Sequence, residues 1–163
     1  MLGTLHQPTQ RQGLNMTTSW FHKVISTRAG IAPLALRIPA GTIFMAHGAQ
    51  KLFGWFGGGG LAGTAQWMAS MGLEPSYLMA LLAGGTEFFG GLALVLGLLI
   101  RPAALGLAVT MLIAIFSVHI ANGLFMSNNG YEFALSLLAI VVSLAGSGAG
   151  RVSLDHYLAC KTR

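Results

Sequence analysis

Acidic side chains are almost missing from this sequence: Glu74, Glu87, Glu132 and Asp155 are the only ones in 163 residues. Charged residues of either sign make up 8%, against about 25% in ordinary soluble domains. A soluble fold needs a charged, solvated shell, which this composition does not supply. Hydrophobic residues fill the gap at 54%, and that share also excludes a disordered chain. The class that remains is an all-α integral membrane protein, with the lipid bilayer as its main partner.

Cysteine is nearly absent too. Cys160 stands alone, which excludes an intramolecular disulfide, a CxxC redox pair and a thiolate metal cage. The net charge of +5 comes from the shortage of acids and not from a basic cluster. No dense run of Lys and Arg is present to track phosphates, so nucleic acid is not an expected partner.

Residues 1–28 read as a polar cytoplasmic tail without acids, carrying Arg11, Lys23 and Arg28. They lack the apolar core of a secretory signal, and Met16 is a second candidate start beside Met1. Residues 29–150 form the membrane domain and 151–163 a cytoplasmic C-terminal tail. A membrane span needs about 20 apolar residues in helix, and four segments qualify: 31–50, 77–100, 103–121 and 133–148. Arg101-Pro102 reads as the tight turn between the second and third, with the proline suited to the first turn of the next helix. In the first outer loop, Leu61, Ala65, Met68 and Met71 follow helical spacing beside Trp55-Phe56 and Trp67, as expected of a short interfacial helix. Gly58-Gly59-Gly60-Leu61-Ala62-Gly63 matches GxGxxG formally, but no strand precedes it, so a flexible hinge is the better reading. The expected fold is a four-transmembrane-helix bundle.

Lys and Arg beside the spans set the orientation. Arg11, Lys23, Arg28, Arg101, Arg151, Lys161 and Arg163 gather on one side, against Lys51 on the other. Both termini are therefore expected in the cytoplasm.

An ionisable residue inside a span costs about 2.5–3.5 kcal/mol, so it normally faces a partner or a cavity. Arg37 lies roughly 21 Å below Lys51, and Glu87 roughly 17 Å below Ser76. Comparable depth predicts an intramembrane Arg37–Glu87 ion pair. Helical phase agrees, with Arg37, Gly41, Phe44, Gly48 and Lys51 on one stripe and Ala80, Gly84, Glu87 and Gly91 on another. Glu132, Ser136, Ala139, Ser143 and Gly146 give the fourth span a third inward face. Such a pair either fixes helix register or belongs to a proton-handling site.

A second group, His47, Lys51, His119 and Glu132, with Asn122 and Tyr131 nearby, is expected near the outer surface. It is either ordinary interfacial polarity or a pocket in which His or Glu moves protons to a quinone or a similar small molecule. Paired haem ligation by His47 and His119 is disfavoured, because His47 is rotated off the inward stripe. No metal-site spacing is present.

From Ala35 to Tyr157 the sequence resembles the DoxX family of small bacterial membrane proteins. The resemblance rests on Leu36-Arg37-Ile38, Gly41-Thr42-Ile43-Phe44 and His47-Gly48-Ala49-Gln50-Lys51-Leu52. It continues through Met71-Gly72-Leu73-Glu74-Pro75, Glu87-Phe88-Phe89-Gly90-Gly91 and Leu96-Gly97-Leu98-Leu99-Ile100-Arg101-Pro102. It ends on Asn128-Asn129-Gly130-Tyr131-Glu132 and the Gly148 to Asp155 run. It implies a four-helix protein of the bacterial cytoplasmic (inner) membrane, and an oxidoreductase or a subunit of one. Arg37, His47, Gly48, Lys51, Glu87 and Gly91 match its defining positions. The leading expectation is a component of a redox or quinone-linked detoxification system, with a soluble redox partner and a homo-oligomer as further expectations. A non-catalytic membrane anchor for a soluble partner is the rival, and a small-solute transporter comes third.

Overall fold

The computed structural model describes residues 30–161; the N-terminal tail, the choice of Met1 or Met16, and Arg163 lie outside them. Every regular element among the described residues is helical. α1 spans Ala32–Phe53, α2 Gly60–Ser70, α3 Ser76–Leu96, α4 Ile100–Ala114, α5 Glu132–Ser147 and α6 Leu154–Lys161. α4 runs on through a π turn at Ile115–His119 and a 3₁₀ turn at Ile120–Asn122. The four apolar segments of the sequence thus match α1, α3, extended α4 and α5, with ends shifted by a few residues.

Two of these helices are long and apolar enough to cross a membrane: Ser76–Leu96, with mean hydropathy 1.7, and Ile100–Asn122, with 2.2. α5 is apolar but shorter, and α1 is diluted by Arg37, His47 and Lys51. The shared core contains Phe44 of α1, Leu94 of α3, Leu107 and Met111 of α4, and Leu137 and Val141 of α5. Large apolar side chains also point outward, among them Leu82, Phe89, Leu105, Val109, Ile113 and Phe116. Such contiguous exposed apolar surface is foreign to a soluble monomer.

Small residues bring α1 and α3 into direct backbone contact. A Cβ at Gly48 would fall 2.7 Å from Phe88 Cα, and one at Gly91 would fall 2.6 Å from the Gly41 carbonyl oxygen. The stripes read on these two helices are buried at Arg37, Gly41, Phe44 and Gly48, and at Ala80, Gly84, Glu87 and Gly91.

Three expectations are corrected. On α5 the buried face is Ala134, Leu137, Val141 and Leu144, while Ser136, Ala139, Ser143 and Gly146 are exposed. The larger side chains fill the core and leave the small stripe outside, and the Ser136 hydroxyl is satisfied by the Glu132 carbonyl one turn back (2.8 Å). The turn between α3 and α4 is Gly97–Leu99 and not Arg101-Pro102, although Pro102 does stand in the first turn of α4 as expected, where a missing N–H costs nothing. The glycine run before α2 is a close-packed reversal, not a hinge. Gly54 and Gly60 take positive φ, and a Cβ at Gly58 would fall 2.6 Å from Gln50 Cα.

Candidate functional site

Glu87 is buried in the seam between α1 and α3, and its partner is Lys51, with Nζ 2.5 Å from Oε2. The Lys51 side chain is 25% exposed and that of Glu87 5%. The expected Arg37–Glu87 pair therefore does not form. Counting residues from the span ends puts Lys51 level with Ser76, the first residue of α3. In the fold, a Cβ at Gly84 would fall 3.1 Å from Lys51 Cβ, so Lys51 stands level with Gly84. The shift is about eight residues, or roughly 12 Å of helix. Its cause is α2: the first turns of α3 pack on that helix through Ala80, Ala65 and Met68, beyond the end of α1.

Lys51 also borders a cleft of about 380 Å³ at this end of the bundle. Gln50 and Lys51 form one wall, the turn residues Gly58 and Gly59 another, and Gly63, Thr64 and Trp67 of α2 the third. Thr64 Oγ1 donates to the Lys51 carbonyl (3.3 Å), tying α2 to the end of α1. His47 is exposed, one turn before Lys51 on α1, and the Gln50 side chain donates to the Phe56 carbonyl (3.4 Å). Phe133 of α5 packs on its ring at 5.9 Å between centroids. His47, Lys51 and Glu87 thus form one cluster, and sequence reasoning missed Gln50, Thr64 and Trp67 beside it. Gln50 had a visible signal, since it sits inside the His47 to Leu52 motif; α2 contributes through tertiary contact only.

His119 and Glu132 do other work. His119 Nδ1 meets the Asn129 carbonyl (2.8 Å), and Asn122 Nδ2 donates to the same oxygen (3.3 Å). Glu132 Oε1 accepts the Met126 N–H (2.6 Å). Both brace the connection between extended α4 and α5. Among the described residues no group of His, Cys, Asp and Glu is clustered to hold a metal ion.

Arg37 is buried at the opposite end of the bundle. Its guanidinium donates to the carbonyls of Ala149 (2.6 Å) and Val152, clamping the segment that follows α5. Asp155 of α6 accepts the N–H groups of Leu99 (2.8 Å) and Ile100 (3.1 Å), so a residue from α6 caps the start of α4. Burial pushes the Asp155 carboxyl above its ordinary value, against the pull of those N–H groups, Arg37 and Arg101. A raised folded-state value means that the folded chain holds this proton more tightly than the unfolded one. The contribution is complete below the ordinary carboxylate range and lost as pH rises through the folded value. Asp155→Asn cannot titrate, so thermal melts between about pH 4 and pH 7 should show the native chain losing stability relative to this variant as pH rises.

Comparison with known proteins supplies the family. The DoxX family model matches residues 32–120, more than half of the chain and the segment that holds Arg37, His47, Lys51 and Glu87. The chain belongs to the DoxX family. It is 35% identical over 117 residues to a Bacillus subtilis (strain 168) protein named "Putative oxidoreductase CatD", covering 72% of this chain and 81% of that protein. It is 37% identical over 134 residues to "Inner membrane protein YqjF" of Escherichia coli (strain K12), covering 78% and 92%. No solved structure matches this DoxX chain. The family places it among membrane proteins, in keeping with its exposed apolar helices.

Proposed function

We propose that this DoxX protein is a four-span component of a quinone-linked redox system in the bacterial inner membrane. In this reading α1, α3, extended α4 and α5 cross the bilayer, α2 lies in the outer interface, and both termini are cytoplasmic. YqjF's name supports the inner membrane and CatD's name supports redox chemistry. Arg101, Arg151 and Lys161 at the α6 end support the orientation by the positive-inside rule. The exposed Cys160 on α6 gives a direct test. A membrane-impermeant maleimide should label it in lysed cells and not in intact spheroplasts; labelling of intact spheroplasts would invert the topology.

The observation that carries the function is the Lys51–Glu87 pair at the edge of the cleft. A buried ion pair adds little net stability over an apolar seam, and ionisable groups at membrane depth mark proton and substrate sites. Reduction of a quinone carbonyl to a hydroxyl requires a proton for each electron. Lys51 donates a hydrogen bond to the carbonyl oxygen, and the Glu87–Lys51 pair with His47 beside it supplies the proton. Electrons come from a soluble redox partner, since the chain has no thiol pair of its own.

Purified protein titrated with a short-chain quinone should show saturable binding by calorimetry. Lys51→Met should weaken it by about tenfold, the loss of one charge-assisted hydrogen bond. Folded protein that binds no quinone would overturn the redox reading and leave that of a membrane anchor for a soluble partner.

A further inference from the structure

We infer that the connection between extended α4 and α5, residues 123–131, is an outer-leaflet anchor whose Leu124, Phe125 and Met126 side chains enter the edge of the acyl-chain layer. The inference goes beyond the redox reading but rests on the membrane placement proposed with it.

Helix length gives the depth. Extended α4, Ile100–Asn122, has 23 residues, about 34 Å at helical rise, whereas α5 has 16, about 24 Å. The hydrocarbon core of a bilayer is about 30 Å thick. The two helices are level at the inner end, where Arg101 Nη1 donates to the Ala145 carbonyl (3.4 Å). The shortfall of about 6 Å therefore falls at the outer end of α5, and the residues beside that end fill it.

Hydrogen bonds hold the connection at that depth. Tyr131 N–H donates to the Gly123 carbonyl (3.1 Å) and Glu132 N–H to the Leu124 carbonyl (2.9 Å), so Leu124 lies beside the first residue of α5. The Asn128 and Gly130 N–H groups both reach the Phe125 carbonyl (3.0 Å each), and the Met126 N–H goes to the Glu132 carboxylate. Water would satisfy such groups without help; at the edge of a bilayer the chain has to satisfy them itself.

Composition selects the occupant of the outward side. Between Arg101 and Arg151 the only Asp, Glu, Lys or Arg is Glu132, and its carboxylate is the one spent on Met126. Leu124, Phe125 and Met126 are 43%, 63% and 60% exposed, large apolar side chains that water penalises and acyl chains accept. Ser127 and Asn128, next along the chain, are exposed and polar, which suits the headgroup layer.

Spin labels on the full-length protein in liposomes of phosphatidylethanolamine and phosphatidylglycerol test this. Cys160→Ser removes the native thiol, and Phe125→Cys, Met126→Cys, Glu74→Cys and Val109→Cys each carry a single nitroxide. Power saturation with oxygen, which concentrates among acyl chains, and with a water-soluble nickel chelate reads the surroundings of each label. Glu74, exposed and charged, reports the outer water, and Val109, exposed along α4, reports the bilayer interior. The ratio of oxygen to nickel accessibility at positions 125 and 126 should be several-fold above that at 74 and approach that at 109. High nickel accessibility at 125 and 126 would put the connection in water and overturn the inference. Low accessibility to both reagents would show it covered by protein, a second copy or another chain, and would overturn it equally. If Phe125→Cys does not fold, Met126→Cys decides alone. Nickel access at 109 would remove the membrane placement itself, and the anchor with it; an oxygen-rich 109 beside a nickel-accessible 125 would remove the anchor alone. No quinone enters the measurement, so its failure is distinguishable from failure of the redox reading.

Discussion

Glu87→Leu should sharply reduce the yield of folded protein, and Lys51→Met added to it should restore that yield. The single change leaves the Lys51 ammonium facing an apolar seam where its carboxylate stood 2.5 Å away. Breaking a buried pair from one side costs about 3–5 kcal/mol, whereas replacing both partners by apolar groups is often neutral. Lys51 is 25% exposed and can turn partly toward the cleft, which places the effect at the lower end of that range. Fluorescence-detected size exclusion of the variants in detergent reads the folded fraction. The double variant then separates the two roles of the pair. A well-folded double variant without quinone binding means that the pair is retained for function, whereas one that folds and binds quinone normally assigns it to helix register. Arg37→Leu, the partner suggested by depth counting, should not rescue Glu87→Leu, because Arg37 is committed to the carbonyls of Ala149 and Val152.

Gly48→Ala should be as damaging as many larger core substitutions, although it adds one carbon. That carbon would sit 2.7 Å from both Cα and Cβ of Phe88, and the backbone cannot yield as a flexible side chain can. α1 and α3 would have to separate along the seam that positions Lys51 against Glu87, an overpacking cost of about 1–3 kcal/mol or more. Gly85→Ala is the matched control, since a Cβ there meets nothing within 4 Å. It should be neutral or stabilising by up to about 1 kcal/mol, from helix propensity alone. Thermal melts of the two variants side by side, with quinone titration of whatever Gly48→Ala protein remains folded, check both halves. Equal melting temperatures would mean that the seam is not as tight as its geometry shows.

Composition and local periodicity were enough to settle the solvent, the contact faces of two helices and the family. Four acids in 163 residues leave no soluble surface, so the solvent is read from counting. The stripes of α1 and α3 are read from spacing, because the residues that let two helices touch recur on one helical face whatever lies opposite. The motifs around His47 and Glu87 are local strings, and they suffice for the family. Tertiary structure decided who faces whom. The partner of Glu87 depends on the offset between α1 and α3, and α2 sets that offset by packing under the first turns of α3. No property of Arg37, Lys51 or Glu87 records it. The inward face of α5 was decided the same way: both faces carry helical spacing, and the core took Leu137, Val141 and Leu144 because they fill it while serine and glycine do not. Asp155 lies far along the chain from the helix it caps. Charge scarcity named the residues to be explained; only packing could pair them, because the register between two helices is a property of the contact and of neither helix.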